Sequence, residues 1–349
     1  MEVRFSAEQV VEALYRGVLG RAPDTDGLRH HAEGLRQRGP VEVVRAMVEC
    51  AEFRHLLGLE HQPRIALLGN CVAPVLAACL RNSCAAWTRW VADVNHEGSP
   101  PYEAAVAAIN AGLADIVISV PFGEFYPALS SSRLKGLYGD KFLTVTSIHF
   151  TGLHPDLTYF GSFRRRFHSP LGDYHSRIAL LCYLNGIGQQ DCLARFNATT
   201  YKRQGYFDAF EASATELRRR DAAVDIRFAE TFVEATRHVQ TLYSVNHPTS
   251  TAIVALAGCI ADHLGVAGRF AADRFSNALS DGARWPIYPE VREANRLPYE
   301  TEFLFRGGTH APAYTLEEFV AGSYRAYEAY GRQVLLDEAR NSGFLLPGL

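Results

Sequence analysis

The stretch Arg64-Ile-Ala-Leu-Leu-Gly-Asn-Cys-Val-Ala-Pro-Val-Leu76 decides the reading of this 349-residue chain. Ile65 to Leu68 form a short apolar run, which reads as a buried strand. Gly69-Asn70-Cys71 then turns the chain into a helix. Pro74 falls near the first helical turn, where its missing N–H costs nothing. Cys71 is thereby expected at a helix N-terminus, where unpaired backbone N–H groups and the helix dipole favour negative charge. A thiol in that place is expected to have a lowered pKa and to serve as a nucleophile or hold an anion nearby. The alternative is a small buried cysteine that closes a strand–helix turn.

The same alternation continues downstream. Trp87–Val94 reads as a second strand, and Pro101 begins a helix with apolar positions Ala105, Ile109 and Leu113. Asp115–Val120 and Phe142–Ile148 read as further strands. Strands that are apolar throughout and separated by helices argue for an α/β fold, a parallel sheet covered on both faces. Ligands in such sheets bind beyond the C-terminal strand ends. The turns at Gly69-Asn70-Cys71, Asn95-His96, Pro121-Phe122 and 149–154 all follow strands and are expected to gather along one edge. From about residue 173 helices dominate: 175–184, 189–196, 206–219, 226–243, 249–264 and, after a Pro- and Tyr-rich stretch, 316–340.

Residues 1–58 read as a separate all-helical domain. Ser6 and Gln9 make a capping-box pattern, with Phe5 placed to staple onto Val10. Gly20-Arg-Ala-Pro-Asp24 and Gly39-Pro40 break the helices, Asp24 or Asp26 can cap the second, and 41–57 reads as a third. Residues 59–63 form a linker, and 64–349 form the α/β domain with its helical C-terminal extension.

Composition narrows the partners. A net charge of −3 gives no reason to expect nucleic acid or an anionic membrane surface. No apolar run approaches the length of a membrane span. Seven cysteines lie scattered without a Cys-x-x-Cys pair, which fits reduced thiols in the cytoplasm better than disulfides or a metal site. No glycine-rich nucleotide loop is present, so dehydrogenase and kinase chemistry has little support.

Two resemblances follow from the motifs. Leu14-Tyr-Arg-Gly-Val-Leu-Gly-Arg-Ala-Pro-Asp-Thr-Asp-Gly-Leu28, with Glu49-Cys-Ala-Glu-Phe53, resembles the small bacterial helical domain related to phycobilisome linkers. It departs at His30-His31, where an aromatic pair is common, and at Cys50, where serine is usual. That resemblance implies an interaction module, so residues 1–58 are expected to meet a protein partner. The four clusters Gly69-Asn-Cys71, Phe150-Thr-Gly-Leu-His-Pro-Asp156, Gly172-Asp-Tyr-His-Ser176 and Asn246-His-Pro248 together resemble the WcbI family of bacterial capsular-polysaccharide biosynthesis enzymes. The resemblance spans roughly 64–270. It implies sugar acetylation with acetyl-CoA as donor, a glycan as acceptor and no metal. Family members commonly carry Gln where this chain has Val72.

Acyl transfer needs a base or nucleophile, donors for the developing oxyanion and a seat for the acyl carrier. Cys71 is the first candidate, with His247, His175 and His154 as candidate bases. The backbone N–H groups of Cys71 and Val72 and the Asn70 amide are candidate oxyanion donors beside Gly69. The layout parallels the Gly-Asp-Ser turn of SGNH-type esterases and acetyltransferases, an analogy of fold alone. Asp173, Ser176 and Asn246 complete the candidate substrate contacts, although Asp173 also fits a helix cap with His175 in the first turn. Arg164-Arg165-Arg166 is a cationic run suited to the phosphates of CoA, or a solvated loop. The expected function is a sugar O-acetyltransferase. A carbohydrate esterase with the same Cys/His site, and a non-catalytic glycan-binding scaffold, are the alternatives.

Overall fold

Strand β1 (Arg64–Gly69) lies inside a four-stranded sheet of order β2-β1-β3-β4, with β2 at Trp87–Asp93, β3 at Ile116–Ser119 and β4 at Phe142–Thr144. All three pairings are parallel. This is the computed structural model of the chain, and it describes residues 5–48, 50, 52, 63–83, 87–162, 165–308, 310–342 and 344. By contacts the chain divides at Pro63 and Arg64 into two units.

Period-two alternation explains why β1 is apolar throughout. Ile65 and Leu67 face a core shared with the helices Val72–Ser83 and Ser250–Leu264. Ala66 and Leu68 face another, shared with Val117 and the helices Pro100–Asn110 and Ser131–Tyr138. From Ile65 to Leu68 no residue exceeds 1% exposure. Fully burying a Leu or Ile side chain is worth about 1.5–3 kcal/mol, so this strand anchors both helical layers. Registers Gly69↔Asp93, Leu68↔Ser119 and Ser119↔Thr144 bring the four strand ends to one level. The turns that follow are therefore neighbours.

The fourth strand is shorter than its sequence implies. It ends at Thr144, and Val145 continues only as an isolated bridge to Ile226. Asp225 accepts from the Thr144 N–H (2.7 Å) on the outer edge of β4, and the partner strand β3 ends at Ser119. Residues 147–149 lie in the loop beyond the sheet.

The C-terminal region builds a second core. Tyr174–Ser176 is a strand, antiparallel to Leu157–Tyr159, and the helix starts only at Arg177. This corrects the expectation of a helix from His175 capped by Asp173. Ser176 is the cap, accepting from the Ala179 N–H (3.0 Å). Asp156 is fully buried, and its carboxylate accepts from the Ile178 N–H (3.0 Å), the Tyr206 hydroxyl (2.8 Å) and the Tyr288 hydroxyl (2.6 Å). The long final helix breaks at Gly331 (φ +84°) into Leu316–Tyr330 and Arg332–Asn341.

In the N-terminal unit the helices are Ala7–Leu14, Thr25–Arg38 and Pro40–Val48. The first continues as a π-turn over Tyr15–Leu19 and stops at Gly20 (φ +70°). Ser6 and Gln9 form the reciprocal capping box, and Asp24 caps the second helix at the Gly27 N–H (2.7 Å). Val11, Tyr15, Leu19, Ala32, Val43 and Met47 make a core of their own. Phe5 is 68% exposed and does not staple onto Val10. Glu49, Phe53 and most of the expected linker lie outside the described residues.

Candidate functional site

A cleft of about 850 Å³ opens at the level of the strand ends. The turn after β1 supplies Asn70 and Cys71, the turn after β2 supplies Asn95 and His96, and the loop after β4 supplies Ser147 and His149. The opposite wall carries Tyr159, Arg166, Asp173, Tyr174, Asn246, His247 and Gly282. Three of the four turns expected along this edge meet here. From the stretch after β3 it is Tyr126 that arrives, and not Pro121-Phe122.

Asn70 organises the first turn. Its Oδ1 accepts from the Val72 N–H (3.1 Å) and its carbonyl from the Ala73 N–H (2.8 Å), so it caps the helix that begins at Val72. Gly69 ends the strand close under that helix, where a Cβ would stand 3.1 Å from the Ala73 Cβ. The expected oxyanion site is corrected accordingly. The Val72 N–H is committed to Asn70, which leaves the Asn70 Nδ2 as the side-chain donor of this turn.

Cys71 lies at the helix start as expected, yet its thiol behaves in the opposite sense. Burial, followed by the Asp93 carboxylate, pushes its pKa up to about 11, against a smaller downward pull from its own backbone N–H. Desolvation of the thiolate outweighs the helix-terminus effect. About one thiol in 10⁴ is ionised at pH 7. Asp93 is itself held in place: one carboxylate oxygen accepts from the Asn95 N–H (2.9 Å), and the other lies 3.0 Å from Nδ1 of His96.

The three expected bases part company. His247 lines the cleft, with Nε2 3.2 Å from the Tyr174 hydroxyl. Burial lowers its pKa to about 4, so the imidazole is neutral at pH 7. His175 is kept out of the cleft: Nε2 lies 2.8 Å from the Phe167 carbonyl, Nδ1 lies 3.0 Å from the Tyr327 hydroxyl, and the ring is fully buried. That pairing assigns the proton to Nε2, because a carbonyl only accepts. His154 is 1% exposed in the core, and neither ring nitrogen makes a well-formed hydrogen bond. Burial takes it to about 3 against a smaller upward pull from the Trp285 backbone. Neither ring lines the cleft.

Tyr174 is the hub of the far wall. Its hydroxyl donates to Asn246 Oδ1 (2.9 Å) and faces His247, and the two rings meet edge to face at 5.8 Å. Burial raises the Tyr174 pKa. Burial, then Tyr174 itself, raises that of Tyr159, with Cys71 a further contributor. Thiol and phenols therefore share one electrostatic neighbourhood.

Of the cationic run, Arg166 reaches the cleft. It donates to the Gly161 carbonyl (2.8 Å) and lies 4.8 Å over the Tyr159 ring. Arg165 is exposed beside Phe167 instead, and Arg164 lies outside the described residues. Asp173 stands at the rim, 3.2 Å from His168. Ser176 faces inward as a helix cap and is fully buried.

Asp93, His149, Tyr174 and Gly282 were not among the site candidates from sequence. His149 carried a readable signal, since it follows a strand that ends at the cleft. Gly282 carried none: it comes from a turn far along the chain, and a Cβ there would meet the His247 ring at 2.8–2.9 Å.

Similarity to known proteins gives the family. Residues 64–269 match the family described as "Polysaccharide biosynthesis enzyme WcbI". The chain belongs to the WcbI family of polysaccharide biosynthesis enzymes. Residues 3–57 match a family described as "Domain of unknown function (DUF4214)". A solved structure described as native WcbI, "a novel polysaccharide biosynthesis enzyme", without a disulfide bond between CoA and a cysteine, superposes with a TM-score of 0.64 at 17% identity. The match covers 81% of this chain and 96% of that one, and at such identity it shows a shared fold. No curated protein matches. Among the described residues no helix is long and apolar enough to cross a membrane.

Proposed function

We propose that this WcbI-family chain transfers an acyl group, acetyl in the simplest case, from a CoA thioester to a sugar hydroxyl during polysaccharide assembly. One observation carries the proposal: a cysteine and neutral imidazoles share a single cleft at the C-terminal edge of a parallel sheet. The structural relative is described in terms of CoA and a cysteine, and Cys71 is the cysteine that this cleft presents.

Two features support a donor of CoA's length. The cleft shares His96 with a second depression of about 500 Å³, lined by Asp93, Arg81, Arg89, Trp90 and Tyr102. Arginines beside aromatic rings suit phosphates next to a planar base. Arg166 adds a guanidinium on the opposite wall.

The raised thiol pKa favours one of two routes. A nucleophilic cysteine needs thiolate, which Cys71 holds only in traces. We therefore assign Cys71 to the seat of the donor sulfur and the acyl step to direct attack by the sugar hydroxyl. A neutral imidazole takes the hydroxyl proton, the oxygen bonds to the thioester carbon, and the C–S bond breaks to release the CoA thiol. We assign the developing oxyanion to the Asn70 and Asn246 amides, both of which line the cleft.

The test is release of free CoA thiol from acetyl-CoA by the full chain, with p-nitrophenyl glycosides as acceptors and ester formation followed by mass spectrometry. Ester formation that persists at a reduced rate in Cys71→Ala supports direct transfer. Thiol release without any ester, or acetate release from acetylated glycosides without CoA, contradicts the transferase reading.

A further inference from the structure

We propose that His149 is the catalytic base of this cleft, the imidazole that takes the proton from the acceptor hydroxyl. The proposal rests on the acyl-transfer reading and names a residue outside all four family motifs.

Each of the other imidazoles near the strand ends is set differently. His96 is bonded through Nδ1 to Asp93 at 3.0 Å, and its side chain is 71% exposed, turned largely to solvent. His175 has both nitrogens bonded, and His154 is enclosed in the core. His247 lines the cleft, but Nε2 is engaged by Tyr174, and Nδ1 is buried without a partner beside Gly282. His149 differs in each respect. It lines the cleft, its ring makes no hydrogen bond among the described residues, and neither nitrogen is an orphaned buried atom.

The loop that carries it is held as a catalytic residue requires. Arg220 donates from one terminal nitrogen to the Ser147 carbonyl (2.9 Å) and from the other to the His149 carbonyl (2.8 Å). One residue earlier, the Thr146 hydroxyl donates to Asp221 (2.5 Å), itself fixed by the Phe228 N–H (2.8 Å). Two consecutive residues of the helix Ala209–Asp221 thus clamp 146–149. On the other side, Ser147 and Ile148 line a small cavity together with Asn70, which sets this loop against the Cys71 turn.

Burial, followed by the Arg220 charge, lowers the pKa of His149, so the ring is a neutral acceptor at pH 7. The other charged or titratable side chains lining the cleft are Cys71, His96, Arg166, Asp173, His247 and the phenols of Tyr126, Tyr159 and Tyr174, with Asp93 behind His96. In the step itself the imidazole lone pair takes the hydroxyl proton as the C–O bond forms. The imidazolium then returns that proton to the departing thiolate, which restores the base and leaves ester and thiol.

The experiment compares full-length wild type, His149→Gln and His247→Gln in acetyl-CoA thiol release with p-nitrophenyl glycosides. His149→Gln is expected to lose about 10²–10⁴-fold in kcat, the range of general-base help. Its KM for acetyl-CoA and its melting temperature are expected to stay near wild type, and free imidazole is expected to restore part of the rate. In parallel, diethyl pyrocarbonate at pH 7 is expected to modify His149 in wild type faster than His154, His175 or His247, with loss of activity. A wild-type rate in His149→Gln, or slow modification of His149 without loss of activity, overturns the assignment and leaves the transferase reading in place. No ester formation by wild type overturns both.

Discussion

The Tyr174 hydroxyl lies 3.2 Å from Nε2 of His247 and 2.9 Å from Oδ1 of Asn246, and this pair of distances fixes a tautomer. An amide oxygen only accepts, so the phenolic proton belongs to Asn246. His247 must then donate Nε2–H to the Tyr174 oxygen, which leaves Nδ1 as the unprotonated nitrogen. Tyr174→Phe strips both partners at once. It is expected to destabilise the chain by about 1–3 kcal/mol, the cost of leaving buried polar groups unpaired. Urea unfolding measures this, and equal or greater stability would show that these two hydrogen bonds do not stabilise the fold.

Gly282 has φ −83°, a value that alanine adopts freely, so backbone strain is not what requires glycine. The constraint is the His247 ring, 2.8–2.9 Å from the position of a Cβ. Gly282→Ala should push the imidazole off Tyr174 and cost about 1–3 kcal/mol through overpacking. A melting temperature unchanged from wild type would show that the wall gives way without loss.

Acid stability follows from three buried histidines. Folding holds His175 and His247 at about 4 and His154 at about 3, all below the ordinary 6.5. The unfolded chain therefore binds more protons below pH 6.5. Their contribution is whole above that pH and is lost as the pH falls toward 4. With all three titrating, the steepest slope is about 4 kcal/mol per pH unit. Asp156, whose pKa burial raises, takes up its proton earlier in the folded chain and offsets part of this loss. Denaturant midpoints between pH 7 and pH 4 test the sign. A midpoint that stays flat or rises would contradict it.

Much of this was legible in sequence and some was not, for physical reasons. Apolar runs bounded by Gly and Pro marked β1 and β3 because a strand covered on both faces has no polar side to hide. The end of β4 was misplaced because its apolar pattern continues to Ile148, while the ladder stops where its partner β3 ends at Ser119. Cys71 was located correctly but its protonation was not, since local pattern shows the helix start and not the burial or the Asp93 carboxylate brought by strand register. Histidine motifs mark imidazoles alike, whether buried as His175 is or facing a cleft as His149 does. Only tertiary packing separates them.

Asp93 offers a direct probe of that thiol. Its carboxylate is the charge that raises Cys71 after burial itself, so Asp93→Asn is expected to lower the thiol pKa. The pH dependence of Cys71 alkylation, mapped by peptide mass spectrometry, should shift to lower pH in the variant. A shift to higher pH would show that Asp93 acts through structure and not through charge.

The central claim, that this cleft seats a CoA thioester against Cys71, is tested most directly by the same chemistry with ligand present. Alkylation of Cys71 at pH 9 is followed with and without saturating acetyl-CoA, with Cys259 as the internal reference. The expected result is strong protection of Cys71 and an unchanged rate at Cys259. Equal alkylation of Cys71 with and without millimolar acetyl-CoA would contradict the account.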